Sequence, residues 1–136
     1  MHGRMTEAEL SSWGRTLGQS LASGAVIWLE GDLGAGKTTV AKAIAMGLGV
    51  SGPTASPTYA LVHRYEGRRG AVHHVDCYRL AGLDEGRDVD WEGLAASDAV
   101  LVEWPERAGP WALPPSLRIR LAHDVDPSIR TVATEP

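Results

Sequence analysis

The chain has 136 residues, 43% of them hydrophobic, and 17 acidic against 13 basic side chains leave a formal charge of −4. That is enough chain and apolar content for one domain with a core, spanning 1–136, which excludes global disorder and a second domain. The acidic balance argues against a general polyanion-binding surface, though not against a local basic patch. Cys77 is the only cysteine, so no intramolecular disulfide can form, and no apolar run nears the ~20 residues that cross a bilayer. With no signal-type apolar region after Met1–Met5, a reducing, cytoplasmic setting is expected.

Residues 6–22 read as an amphipathic helix. Thr6 is the expected N-cap, Glu9 completes a capping box, and Leu10, Trp13, Leu17 and Leu21 recur at helical spacing, a stripe expected to pack on a sheet. Ala25–Leu29 is a short apolar run rich in β-formers and reads as a buried parallel strand. It runs into Gly31-Asp32-Leu33-Gly34-Ala35-Gly36-Lys37-Thr38, which fits the phosphate-loop pattern G-x-x-x-x-G-K-[ST] without mismatch. Gly31, Gly34 and Gly36 let the backbone turn through positive φ and approach a phosphate with no Cβ in the way. Successive N–H groups then make an anion nest, Lys37 brings a mobile charge to the β- and γ-phosphates, and the Thr38 hydroxyl can ligate Mg²⁺. Residues 38–48 have helical composition, with Val40, Ile44 and Leu48 on one face and Gly49 as a stop; the helix N-terminus, with Thr39 in its first turn, adds its dipole to the site.

Residues 51–58 are small and polar with two prolines, and read as a loop of about eight residues, long for a connector. The hydroxyls of Ser56 to Thr58 either answer a terminal phosphate or metal, as switch loops do, or belong to an ordinary surface loop. Residues 59–65 follow as a strand, 66–70 as a hairpin turn, and 71–75 as the returning strand. Residues 81–98 are polar, acidic and irregular, with a short helix near Asp90–Ala96. Ala99–Val102 is a clean strand ending at Glu103-Trp104, and Pro105 takes the chain out of the sheet. Residues 117–121 and 130–133 alternate apolar and polar, and read as two edge strands joined by a turn around Asp124–Pro127. The sum is an α/β three-layer domain with a mostly parallel sheet, antiparallel additions, and nucleotide at the C-terminal strand ends.

A phosphate loop needs an acid on a neighbouring strand end to hold Mg²⁺ directly or through water. Glu103, after the better apolar run, is the first choice. Asp76 is the candidate for a further metal contact or for polarising the attacking water; either acid could instead be a solvated strand end. His73 and His74 are strand neighbours facing opposite sides, so they cannot chelate one ion together, and neither reads as a zinc ligand. Cys77 has nothing at recognisable spacing to lower its pKa and reads as an inert thiol. Trp104 could stack on a base or pack under the sheet. Five tryptophans with no phenylalanine suggest that Trp does ordinary core filling.

Four segments in order, G-D-L-G-A-G-K-T-T, S-P-T-Y at Ser56–Tyr59, V-D-C-Y-R-L at Val75–Leu80 and V-E-W-P-E-R at Val102–Arg107, resemble the bacterial TsaE (YjeE) family over roughly residues 25–107. That family is the ATPase component of tRNA threonylcarbamoyladenosine (t6A) biosynthesis. The resemblance implies a small P-loop ATPase, weak alone, using ATP and Mg²⁺ and acting with TsaD and TsaB, so that tRNA is met indirectly through the complex. It implies that Gly31, Asp32, Leu33, Gly34, Ala35, Gly36, Lys37, Thr38 and Thr39 cradle the phosphates. Thr38 and Glu103 would bind Mg²⁺, and Asp76 would sit beside metal or water. Ser56 to Thr58 would form a switch-like loop, with Thr58 among the catalytic groups, and Trp104 would lie close to the nucleotide. Residues 81–98 depart from the wording of relatives, and only Met1–Met5 precede the first helix where relatives place a strand. The adenine would rest between that N-terminal segment and the C-terminal strands, with Arg130 as a contact. The alternative to an ATPase is a nucleotide-gated binding module in which hydrolysis is incidental. A small-molecule kinase is disfavoured, because so short a chain shows no Arg-rich lid.

Overall fold

The computed structural model describes residues 2–52 and 61–136. Among the described residues seven strands form one sheet: β1 (His2–Thr6), β2 (Ala25–Glu30), β3 (Val62–Glu66), β4 (Ala71–Asp76), β5 (Ala99–Glu103), β6 (Leu117–His123) and β7 (Ile129–Glu135). Their order is β1-β7-β6-β2-β5-β4-β3. The middle is parallel, β6 to β2, β2 to β5 and β5 to β4, while β1, β7 and β3 add antiparallel flanks. Parallel pairing puts the C-terminal ends of β2, β4 and β5 along one edge, which is where an α/β sheet presents its site.

The sequence explains the layering. β5 is buried at all five positions, Ala-Val-Leu-Val-Glu, as a central strand covered on both faces must be. Ile27, Leu29, Leu101 and Ile119 face helices α1 (Glu7–Ser20) and α2 (Lys37–Gly47), which bring Leu10, Val40 and Ile44 to the same core. On the opposite face Val75, Val100 and Val102 pack under Trp91 and Leu94 from α4 (Trp91–Leu94), which follows α3 (Leu83–Arg87), and under Ala108 from the 3₁₀ turns after Trp104. Trp91 fills that core as the aromatic count suggests and donates its indole N–H to the Gly86 carbonyl at 2.7 Å; Trp111 stays 43% exposed.

The capping box of α1 is present on both sides, with Glu9 N–H to Thr6 Oγ1 and Thr6 N–H to Glu9 Oε1. The stripe on α1 reaches the sheet core at Leu10, yet the helix leans mainly on α2. Gly14 and Gly18 abut Ala43, Ile44 and Gly47, so backbone approaches backbone.

Three expectations are corrected. The segment before the first helix is long enough for a strand: β1 pairs antiparallel with β7, from His2 opposite Ala133 to Thr6 opposite Ile129. In consequence β7 is not an edge, and β6, hydrogen-bonded to β2 on one side and β7 on the other, is interior. Alternating apolar and polar residues describe a strand with one dry face; they do not say whether its polar backbone has one neighbour or two. The stretch 81–98 contains α3 as well as the expected short helix, which begins after Asp90, whose carboxylate caps Gly93 N–H.

Candidate functional site

β2 ends at Glu30, and the chain enters α2 through a turn in which Gly31, Gly34 and Gly36 have φ of 148°, 76° and 106°. A Cβ at Gly31 would lie 2.3 Å from the Leu121 carbonyl oxygen, so only glycine passes there. α2 starts with no side-chain cap, which leaves its first N–H groups available to an anion. Asp32 O accepts from Ala35 N–H at 3.1 Å and closes the turn. Leu33 is 62% exposed at its tip, and its carbonyl accepts from His123 Nε2 at 3.0 Å.

Lys37, the first residue of α2, is 4% exposed. Its ammonium donates to Gly31 O at 2.6 Å and Asp32 O at 2.7 Å and lies 4.3 Å from the centre of the Trp104 ring. Burial lowers its pKa, against the pull of Glu103, Glu106, Asp32 and Asp76. One residue on, Thr38 Oγ1 donates to Glu103, 3.0 Å from Oε1 and 3.1 Å from Oε2. Glu103 ends β5 and is itself 3% exposed. Asp76 ends β4 in direct register with it. Burial pushes the Asp76 carboxyl above its ordinary range; the Tyr78 N–H, bonded to Oδ1 at 2.9 Å, pulls it down, and the Glu103 charge pushes it up again.

Trp104 follows at φ 56°, ψ 48°, the one non-glycine residue with positive φ among the described residues. Pro105 disfavours the right-handed helical region for the residue before it, and the left-handed turn swings the indole to the rim of the site. The Tyr78 ring packs against it at 5.0 Å and the Arg107 guanidinium lies 4.6 Å above Tyr78. A cavity of about 280 Å³ opens between Leu33, Lys37, Thr38, Thr39, Asp76, Glu103 and Trp104. A second, of about 490 Å³, lies across the loop, bordered by Thr6, Leu10, Gly34, Ser128 and Arg130; Arg130 donates to the Gly34 carbonyl at 3.3 Å. The N-terminal segment, the C-terminal strands and the phosphate loop thus meet at one concavity.

Three stretches distant in sequence, Lys37 to Thr39, Asp76, and Glu103 with Trp104, are therefore brought together. Thr58 and the rest of Ser56 to Tyr59 lie outside the described residues. His73 and His74 diverge as expected: His73 Nδ1 meets Ser97 Oγ at 2.6 Å, whereas His74 Nε2 meets Glu103 Oε2 at 2.5 Å. That second contact has no signal in the sequence beyond His74 and Asp76 being two apart on one strand, hence on one face; the partner on β5 is set by the sheet. Cys77 is fully buried, and burial with the nearby Asp76 and Glu106 charges pushes its thiol up to about 12, so it carries no nucleophilic chemistry.

The family model of "Threonylcarbamoyl adenosine biosynthesis protein TsaE" matches residues 5–132. The chain belongs to the TsaE family. The match extends the likeness past the four motif segments to β1 and β7. TsaE proteins of a Nostoc species and of Streptomyces coelicolor are 41% and 43% identical over 69% and 68% of this chain. The aligned region is 60% and 65% of those relatives, so the chain spans about three fifths to two thirds of their length. The TsaE protein of Aquifex aeolicus is 44% identical over 69% of the chain and 68% of its own. A crystal structure of YdiB from Bacillus subtilis superposes with a TM-score of 0.78 at 29% identity, covering 98% of this chain and 82% of that one. Among the described residues no helix is long and apolar enough to cross a membrane.

Proposed function

We propose that this chain binds and hydrolyses ATP with Mg²⁺ in support of threonylcarbamoyladenosine formation on tRNA, residues 1–136 acting as one ATPase domain in the cytoplasm. TsaD and TsaB are its partners in this reading, and tRNA is met through that complex. The observation that carries it is the meeting of the Lys37 ammonium, the Thr38 hydroxyl and the Glu103 carboxylate under a glycine loop at the C-terminal edge of a parallel sheet.

Thr38, Glu103 and Asp76 offer hard oxygen donors, and among the described residues no group of three His, Cys, Asp or Glu could cage a metal alone. That fits Mg²⁺, which keeps waters and substrate phosphates and takes few protein ligands. When bound it supplies neutralisation of charge on the phosphate oxygens. The loop amides and the α2 N-terminus hold the β-phosphate, and Lys37 leaves its carbonyl partners to meet the β- and γ-phosphates. Asp76, a carboxylate with its proton affinity raised by burial, orients the water that attacks the γ-phosphorus as the bond to the β–γ bridging oxygen breaks, giving ADP and phosphate. The nucleoside occupies the larger cavity beside Thr6 and Arg130, and Trp104 closes the phosphate side.

Lys37→Ala is expected to reduce hydrolysis by about 10²-fold or more and to weaken ATP binding; Glu103→Ala is expected to lose turnover and Mg²⁺ dependence. Calorimetry with Mg²⁺ and ATP, steady-state hydrolysis, and reconstituted tRNA modification with TsaD and TsaB are the measurements. Unchanged rates in either variant contradict the reading. Binding without turnover coupled to modification favours the nucleotide-gated module.

A further inference from the structure

The ATPase reading leaves one buried group at its centre without a task, and the role inferred for that group rests on the same reading. His74 lies on β4 two residues before Asp76 and is 3% exposed. A carboxylate has no hydrogen to give, so in the 2.5 Å contact His74 Nε2–H donates and Glu103 Oε2 accepts. Burying an imidazole costs free energy unless a partner answers it, and here the partner is a carboxylate that Thr38 also addresses.

The Thr38 hydroxyl is nearly equidistant from both Glu103 oxygens, so it does not by itself choose between them. The terminal torsion of a glutamate is broad, so the carboxylate can rotate unless something else grips it. An imidazole on β4, a strand hydrogen-bonded to neighbours on both sides, supplies that grip, as outer partners do for metal-side groups generally.

We infer that His74 is the positioning residue for Glu103: its Nε2–H holds Oε2, sets the plane of the carboxylate, and keeps Oε1 beside the Thr38 hydroxyl as the pair presented to a divalent cation. His74 touches neither nucleotide nor reacting atoms; its effect passes wholly through Glu103.

The test uses the full chain with ADP, with Mn²⁺ as a paramagnetic probe of the cation position, and calorimetry of ADP in chelator. His74→Met, which removes the donor, is expected to weaken Mn²⁺ binding to the ADP complex about tenfold or more, with metal-free ADP affinity within about twofold. His74→Gln, whose amide can donate to the same oxygen, is expected to recover Mn²⁺ affinity to within about threefold. In a Glu103→Gln background, His74→Met is expected to add no further loss. A folded His74→Met protein with wild-type Mn²⁺ affinity overturns the inference, and so does a loss that persists undiminished in the Glu103→Gln background. Should the methionine variant not fold, His74→Asn replaces it: its shorter amide falls away from Oε2, and equal behaviour of the Asn and Gln variants overturns the inference. Wild-type protein that shows no metal-dependent ADP binding sinks the ATPase reading itself, whereas normal wild-type binding with an unaltered His74→Met sinks the role of His74 alone.

Discussion

Asp76 and Glu103 end neighbouring strands side by side, and two carboxylates so placed in a half-dry site are not there for stability. Burial raises the Asp76 pKa above its unfolded value, so the folded state prefers the protonated acid. The stability this contributes is present below the unfolded pKa and lost as pH rises through the folded one; at neutral pH the ionised group weakens the fold. Asp76→Asn keeps an oxygen for the Tyr78 N–H and removes the charge. It is expected to raise the melting temperature of the nucleotide-free protein near pH 7, by an amount that shrinks toward about pH 4, while hydrolysis falls. Melting curves across that range with parallel rate measurements decide it, and a lowered melting temperature at neutral pH contradicts the assignment. The motif alone pointed to Lys37, Thr38 and the strand-end acids, because a phosphate loop constrains residue types locally. Nothing local joined His74 to Glu103; that contact exists only because β4 lies parallel to β5 in this register.

The elements that hold the loop are α1 and α2, and their contact is made of glycines. A Cβ at Gly18 would sit 2.3 Å from the Ile44 carbonyl oxygen, and one at Gly47 would sit 2.1 Å from the Arg15 carbonyl oxygen. Ala in place of Gly improves helix propensity by up to about 1 kcal/mol, but a backbone oxygen cannot step aside as a side chain can. Gly18→Ala is therefore expected to destabilise by about 1–3 kcal/mol net, measured by denaturant unfolding. Because Lys37 opens α2, the displaced helix is also expected to weaken ATP binding; unchanged stability and affinity would show that the two helices can separate freely. The helices themselves were legible from period and capping, Thr6 and Glu9 in particular. Their close approach was not: Gly14 and Gly18 four apart on one face are equally compatible with a poorly formed helix, and only the partner tells which.

Across the whole molecule the sheet decides what each strand is. β1 covers β7 along five paired residues, and its last residue, Thr6, both caps α1 and borders the larger cavity. Removing residues 2–5 would bare the β7 edge from Arg130 to Ala133 to other chains. Such a variant is expected to melt earlier and to self-associate, read by thermal unfolding and light scattering; a monomer with an unchanged melting point would contradict that. By itself the chain of residues determined what is local: a glycine loop between strand and helix, the caps, the hairpin at 66–70, the acids at strand ends, and with them the family. Tertiary structure alone decided that His2–Thr6 form a strand, that β6 is interior, and that His74 meets the Glu103 carboxylate. The physical reason is that helix periods and turn chemistry are set by neighbours in sequence. Strand pairing and cross-strand contact are set by residues that meet only after the chain has folded back on itself, His2 against Ala133 among them.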